Sequence, residues 1–157
     1  MADHFRYRYG PTNPVLAPVA TDTVIDIGDL VWLDTDEAKP ASALTDQESE
    51  AANQEAFHDA FLGVAMQRSA DGDTDDIRVA TTGVFEYVTP SGTFELGDLL
   101  GVDEAASGTA LEDQQIDSVA TANLAIGRCA RRVATNDTKV LVSIQSTILY
   151  GGPQAAA

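Results

Sequence analysis

The same order of β-strand signals occurs twice in this chain, and this repeat restricts the possible folds more than any other feature. A Gly-Asp pair before an apolar run lies at residues 28–29 and again at 97–98. A glycine inside the next apolar run lies at residue 63 and again at 127. A fixed order of strand types at nearly fixed spacing is typical of a duplicated unit, although short apolar motifs also recur by chance. We therefore predict an internally duplicated, mainly β body.

Apolar, β-branched segments separated by turn residues predict the strands of this body. The predicted strands are residues 24–33, 61–66, 77–88, 94–100, 124–130 and 139–144. The predicted turns are residues 71–76, 89–92 and 135–138. Because glycine inside a strand indicates a bulge or a bend, we expect the backbone to bend at Gly28 and Gly83.

One short helix is predicted over residues 45–60, in the segment that makes the first repeat longer than the second. Thr45 and Glu48 have the spacing of a capping box. Good helix formers follow, and Ala52 and Ala56 lie one helical turn apart, which indicates a weak apolar stripe.

Residues 1–22 are predicted to form an extended arm, since three prolines exclude a helix there. Ahead of the prolines, aromatic residues alternate with arginines, so that a strand would carry rings on one face and guanidinium groups on the other. These candidate partner-binding residues are Phe5, Arg6, Tyr7, Arg8 and Tyr9. Such a segment can add to the sheet edge of a partner, with its aromatic residues as anchors. A disordered leader is the alternative interpretation.

The chain thus divides into an arm (1–22), a β-rich domain (23–148) and a flexible tail (149–157). The β-rich domain contains the two repeat halves, about residues 24–88 and 94–146. The tail is predicted to be flexible because it is rich in glycine and alanine.

Charge excludes several classes of partner. The chain has 25 Asp and Glu against 9 Lys and Arg, a formal net charge of −16. A surface this acidic repels phosphates, so we expect no nucleic-acid binding. The sequence contains no apolar run long enough to span a membrane, and its first ten residues do not resemble a secretory signal. With one cysteine, an intrachain disulfide is impossible.

Catalytic and metal-binding patterns are weak. The only histidines are His4, in the arm, and His58, near the end of the predicted helix. Cys129 lies on a predicted strand and reads as a small buried thiol. Residues 71–76 place aspartates at alternate positions, as a calcium loop does, but residues 76 and 82 do not fit that pattern. We therefore predict no catalytic residues, no metal site and no cofactor.

The short motifs of this chain resemble those of tailed-phage head decoration proteins, also called capsid cement proteins. The resemblance rests on Gly28-Asp29-Leu30-Val31, Gly63-Val64-Ala65 and the strand from Ile77 to Phe85. The second copy, at Gly97-Asp98-Leu99-Leu100 and Val140-Leu141-Val142, fits as well. The resemblance covers about residues 24–146, and the acidic helical segment at 45–60 departs from it.

This resemblance implies a β-barrel or β-tulip body that assembles as a homotrimer on the outer surface of the virion. It also implies that arms reach onto neighbouring major capsid subunits and clamp the shell, without any enzymatic activity. Two alternatives remain. One is a β-module of a surface appendage that binds carbohydrate or calcium, the latter at Asp71, Asp73 and Asp75. The other is a small hydrolase.

Overall fold

The computed structural model describes residues 3–154 of the chain. Within these residues the chain forms eleven strands and two helices. The strands are β1 (Tyr7–Tyr9), β2 (Val15–Ala17), β3 (Leu30–Asp34), β4 (Glu37–Pro40), β5 (Phe61–Ala65), β6 (Ile77–Ala80), β7 (Thr82–Phe94), β8 (Leu99–Glu104), β9 (Leu111–Ser118), β10 (Gly127–Cys129) and β11 (Val133–Gln145). The helices are α1 (Glu50–Ala60) and α2 (Thr147–Tyr150), and short 3₁₀ turns lie at Ala41–Ala43 and Ala122–Leu124.

Five strands between Thr82 and Gln145 close into a barrel. Their order is β7-β11-β10-β8-β9, and β9 returns to β7 through a parallel pairing of Val88 with Gln115. The first strand, β1, adds to β7 outside this ring. The predicted mainly β fold with a barrel is therefore confirmed.

The other sheet has five strands from residues 15–80, in the order β2-β6-β5-β3-β4. Position by position, this order corresponds to β7-β11-β10-β8-β9 of the barrel. Its two edge strands also approach each other, since the Ala38 N–H donates to the Pro18 carbonyl at 2.8 Å. The sequence repeat contains three of these pairs, β3 with β8, β5 with β10 and β6 with β11, whereas β2 with β7 and β4 with β9 lie outside it. A duplication of the chain itself stays a prediction.

The core contains two apolar clusters that are built mainly from aliphatic side chains. The larger cluster fills the barrel and extends under α1, where Phe57 and Phe61 are fully buried beside each other with ring centroids 5.6 Å apart. The smaller cluster lies in the five-stranded sheet, around Ile25, Val31 and Val79. Because the larger cluster contains residues of both halves, the two halves share one core.

Helix α1 begins later than the capping pattern predicts. Its N-cap is Ser49, whose hydroxyl accepts the Ala52 N–H, and the Ser49 carbonyl accepts the Asn53 N–H at 2.9 Å. Thr45 lies outside the helix on an exposed stretch. The predicted start at Thr45 is therefore wrong, because a serine closer to the helix supplies the cap.

Ser49→Ala is expected to lower the free energy of unfolding by about 1 kcal/mol, since it removes an N-cap acceptor. Thr45→Ala is the matched control, because its hydroxyl caps nothing, and we expect a change under about 0.5 kcal/mol. Urea denaturation measures both. Equal effects of the two substitutions would contradict the assignment of the cap to Ser49.

Two predicted turns lie inside long strands. Residues 89–92 belong to β7 and residues 135–138 belong to β11, which pair with each other through register shifts around the Asp137–Gly92 pairing. Irregular pairing accommodates the proline and glycine without ending the strands. The predicted strand 77–88 is instead two strands, because the chain passes from one sheet to the other at Thr81.

Both chain ends pack onto the body more extensively than predicted. Residues 15–17 form β2, and Ala17 and Val19 are buried in the smaller apolar cluster. Near the other end, α2 is followed by Gly152 and Pro153, which are both buried. Residues 149–154 of the predicted flexible tail therefore continue the packed body, while residues 155–157 lie outside the described residues. The flexibility of the tail stays a prediction. Neither helix within residues 3–154 is long and apolar enough to cross a membrane.

Candidate interaction surface

The N-terminal arm is an edge strand of the protein's own sheet. Strand β1 pairs with β7, where Tyr7 lies opposite Phe85 and the Glu86 N–H donates to the Arg6 carbonyl at 2.8 Å. The pairing that the sequence assigns to a partner is therefore made within the chain over these residues. The outer side of β1 remains an edge of the sheet.

Two of the five predicted binding residues, Arg6 and Tyr7, contact buried side chains of the barrel. The Arg6 guanidinium lies 5.5 Å from the centre of the Tyr87 ring, and its Nε–H donates to the Gln114 side-chain oxygen at 3.0 Å. The Tyr7 ring meets Phe85 edge-on at 5.7 Å, and its hydroxyl donates to the Gly10 carbonyl at 2.7 Å. Burial lowers the pKa of the Arg6 guanidinium, which still carries its charge at neutral pH.

Arg6 is the first member of a buried chain of hydrogen bonds. Gln114 accepts from Arg6 and donates to a carboxylate oxygen of Asp29 at 2.8 Å, while the other oxygen of Asp29 accepts the Asp26 N–H at 2.9 Å. Asp29 is only 2% exposed, and burial raises the pKa of its carboxyl group to about 6. The network therefore fixes the arm to both halves of the body.

The other three predicted residues point outward. Phe5 is 72% exposed and Tyr9 is 53% exposed. Arg8 lies between them and forms an ion pair with Glu86 at 3.0 Å while donating to the Tyr7 carbonyl at 3.0 Å. Two exposed aromatic rings beside a guanidinium have the composition of a binding hot spot. We call Phe5, Arg8 and Tyr9 the arm surface.

The residues considered for chemistry have structural partners. His58 is buried, and its Nδ1 lies 2.6 Å from the Ala125 carbonyl, so this nitrogen carries the proton. Cys129 is buried as predicted; its thiol donates to the Arg131 carbonyl, and burial raises its pKa.

The aspartate-rich loop at residues 71–76 is a surface turn in which Asp73 accepts the Ala70 N–H at 2.9 Å. Within the described part of the chain, no group of three or more His, Cys, Asp or Glu side chains could hold a metal ion. The calcium-binding alternative at Asp71, Asp73 and Asp75 therefore gains no support.

Sequence reasoning missed the buried network and two exposed apolar positions. Asp29 carries the same Gly-Asp signal as Asp98, and the sequence does not distinguish the buried carboxylate from the exposed one. Leu96 is 71% exposed, although its apolar surroundings predict a strand. Tyr150 is 42% exposed on α2 in a segment predicted to be flexible.

Comparison with known proteins gives one family. A family model described as phage cement protein matches residues 43–144, about two thirds of the chain. The matched span runs from the segment before α1 into β11, and the arm surface lies outside it. No curated protein matches the chain.

Proposed function

The chain belongs to the phage cement protein family, and on this premise we propose that it binds the outer surface of a phage head and clamps neighbouring major capsid subunits. The family gives the chain a structural role on a capsid. The arm surface carries the finer proposal, because Tyr9 on the edge strand β1 and Phe5 just before that strand both hold their rings in solvent. Exposed aromatic residues next to an arginine are the side chains that most often anchor protein interfaces.

The way in which the arm is held supports a clamp. Hydrogen bonds and ring contacts from Arg6 and Tyr7 fix the arm to the barrel, so the arm surface is ordered before it meets a partner. Binding then costs less conformational entropy than it would for a free segment. A clamp also needs a body that resists deformation, and a closed barrel leaves few unpaired strand edges.

Several weak contacts acting together would hold the shell. We propose a homotrimer, in which three arm surfaces engage neighbouring major capsid subunits at once. Linking three sites converts the second and third contacts into intramolecular steps, which raises the overall affinity far above that of one site. The role needs no bound cofactor and no catalytic residue.

The double substitution Phe5→Ala, Tyr9→Ala is expected to weaken binding to undecorated phage heads at least about tenfold, since each hot-spot ring contributes about 1 kcal/mol or more. Co-sedimentation with purified heads measures the affinity. Sedimentation of the protein without heads gives the number of chains in each oligomer, and we expect three chains of 16.6 kDa each.

Leu16→Ala is the matched control, because Leu16 is 63% exposed on β2, away from the arm surface. We expect it to bind as the wild type does. Substitution is preferable to deletion of residues 1–22, since deletion would also remove β2 and the buried Ala17. If the double variant keeps its fold and binds heads with wild-type affinity, the arm surface is not the clamp.

A further inference from the structure

Two turns in this protein have the same construction. In the first, Gly28 has φ +97°, its N–H donates to the Ala65 carbonyl at 2.9 Å, and Asp29 accepts the Asp26 N–H at 2.9 Å. Arg68 lies 3.7 Å from the Asp26 carboxylate. We call residues 26–29 the first turn.

The second turn, residues 95–98, repeats each of these contacts. Gly97 has φ +90°, its N–H donates to the Cys129 carbonyl at 2.9 Å, and Asp98 accepts the Glu95 N–H at 2.8 Å. Arg132 forms an ion pair with Glu95 at 2.9 Å, as Arg68 does with Asp26. The two turns therefore present the same main-chain groups and the same type of side chains.

The first turn is occupied by the beginning of the arm. The His4 N–H donates to the Ile27 carbonyl at 2.8 Å, and the Ile27 N–H donates to the Asp3 carboxylate at 2.9 Å. Asp3 also lies 3.8 Å from the Arg68 guanidinium. A Cβ atom on Gly28 would meet the His4 carbonyl oxygen at 2.5 Å, so the arm lies directly against the turn. The occupant is an extended segment with a carboxylate.

The second turn is open over residues 3–154. Leu96, the counterpart of Ile27, is 71% exposed, and neither its N–H nor its carbonyl has a hydrogen-bond partner in this part of the chain. A Cβ atom on Gly97 would meet nothing within 4 Å. The Arg132 side chain is 64% exposed. The Leu96 main-chain groups are thus open to another segment, with the exposed Arg132 beside them.

The arms cannot supply that segment for every chain. Each chain has one arm and two such turns, so an exchange of arms between copies would fill one turn only by emptying another. The surrounding charge indicates what else could bind. Two arginines lie at the second turn: Arg132, which pairs with Glu95, and Arg128, which donates to the Gly97 carbonyl at 2.8 Å. In a chain of net charge −16, two guanidinium groups beside one turn favour a carboxylate as the bound group.

We propose that the second turn binds an extended, carboxylate-bearing segment of a capsid subunit. This inference rests on the proposed function and adds a second contact site to it. The segment's carboxylate accepts the Leu96 N–H and pairs with Arg132, one of its main-chain N–H groups donates to the Leu96 carbonyl, and an apolar side chain covers Leu96. Main-chain pairing gives affinity, and the carboxylate selects the segment.

The double substitution Leu96→Ser, Arg132→Ala is expected to weaken binding to undecorated heads at least about tenfold, since it removes the apolar contact and the cation. The control is Leu16→Ser, Arg78→Ala, which makes the same chemical changes at exposed positions on β2 and β6. We expect the control to stay within about twofold of the wild type. If the Leu96→Ser, Arg132→Ala variant binds heads with wild-type affinity, the inference is wrong, whereas the proposal that the arm surface binds the capsid is unaffected. A wild-type protein that does not bind heads overturns the proposed function, and the inference with it.

Cross-linking identifies the occupant directly. A Leu96→Cys variant accepts a thiol-directed photo-cross-linker at an exposed position, while Cys129 is buried. On decorated heads, we expect a cross-link to a capsid subunit. A cross-link to a second copy of this chain, or the absence of any cross-link on heads that carry the bound variant, would overturn the assignment.

Discussion

Gly127→Ala and Gly63→Ala are each expected to destabilise the protein by about 3 kcal/mol or more, or to prevent folding altogether. A Cβ atom on Gly127 would overlap the Ser143 carbonyl oxygen and lie 2.8 Å from a methyl carbon of Val142. A Cβ atom on Gly63 would overlap the Ala80 carbonyl oxygen. Because both obstacles are main chain, neither can move aside as a flexible side chain would.

The matched control is Gly92→Ala, whose Cβ atom would have its nearest neighbour at 3.6 Å, an ordinary contact distance. We expect its free energy of unfolding to stay within about 1 kcal/mol of the wild type. Urea denaturation and melting temperature measure all three variants, and a loss of 3 kcal/mol corresponds to about 6–12 °C in a domain of this size. If Gly127→Ala is as stable as Gly92→Ala, that result contradicts the close packing of β10 against β11 at Gly127.

These two glycines also show how far the sequence predicts the fold. Their repeated position indicates two similar halves, and both lie in the central strand of the corresponding strand orders, β5 and β10. The sequence does not say why glycine is needed there. The reason is a neighbouring strand, β6 or β11, and only the folded chain brings it close.

Closure of the barrel could not be predicted from strand propensity. Strand β9 has the sequence Leu-Glu-Asp-Gln-Gln-Ile-Asp-Ser, which is too polar for a strand signal. Its place is fixed instead by side-chain hydrogen bonds, such as the one from Gln115 to Asp103 at 2.6 Å, and by the buried Gln114. Tertiary contacts therefore override the local preference of this segment.

The arm shows the same limit. Alternation predicts rings on one face and guanidinium groups on the other, but Arg6 and the Tyr7 ring both contact the barrel. Nothing near Arg6 in the sequence indicates that it points inward. The groups that receive it, Gln114 and Tyr87, lie more than 80 residues further along the chain. Of the five predicted binding residues, the exposed aromatic rings that remain for a partner are therefore those of Phe5 and Tyr9.

Asp29→Asn is expected to remove a pH dependence of stability that the wild type shows between about pH 4 and pH 6. Burial raises the pKa of Asp29 from 3.8 to about 6, although hydrogen bonds from Asp26 and Gln114 act in the opposite direction. Between these two values the folded protein binds a proton at Asp29 that the unfolded chain does not. The contribution of this group to stability is therefore fully present below about pH 4 and is lost as the pH rises through 6.

A pKa difference of about two units corresponds to on the order of 2–3 kcal/mol. We therefore expect the free energy of unfolding of the wild type, minus that of Asp29→Asn, to increase by roughly this amount when the pH falls from 7 to 4. The asparagine also disturbs the hydrogen bonds to Asp26 and Gln114, but that cost is the same at both pH values. Urea denaturation at pH 7 and pH 4 separates the two effects.

Asp98→Asn is the control, because Asp98 has the same position in the second turn and the same bond to a main-chain N–H, but is exposed. Asp98 lacks the burial that raises the pKa of Asp29, so the growth expected for Asp29→Asn is specific to the first turn. Equal pH dependence in both variants would contradict the burial of Asp29 beneath the arm. The two turns are built alike, but the arm and Gln114 cover only the first within residues 3–154. The comparison therefore tests whether this cover causes the pH dependence at Asp29.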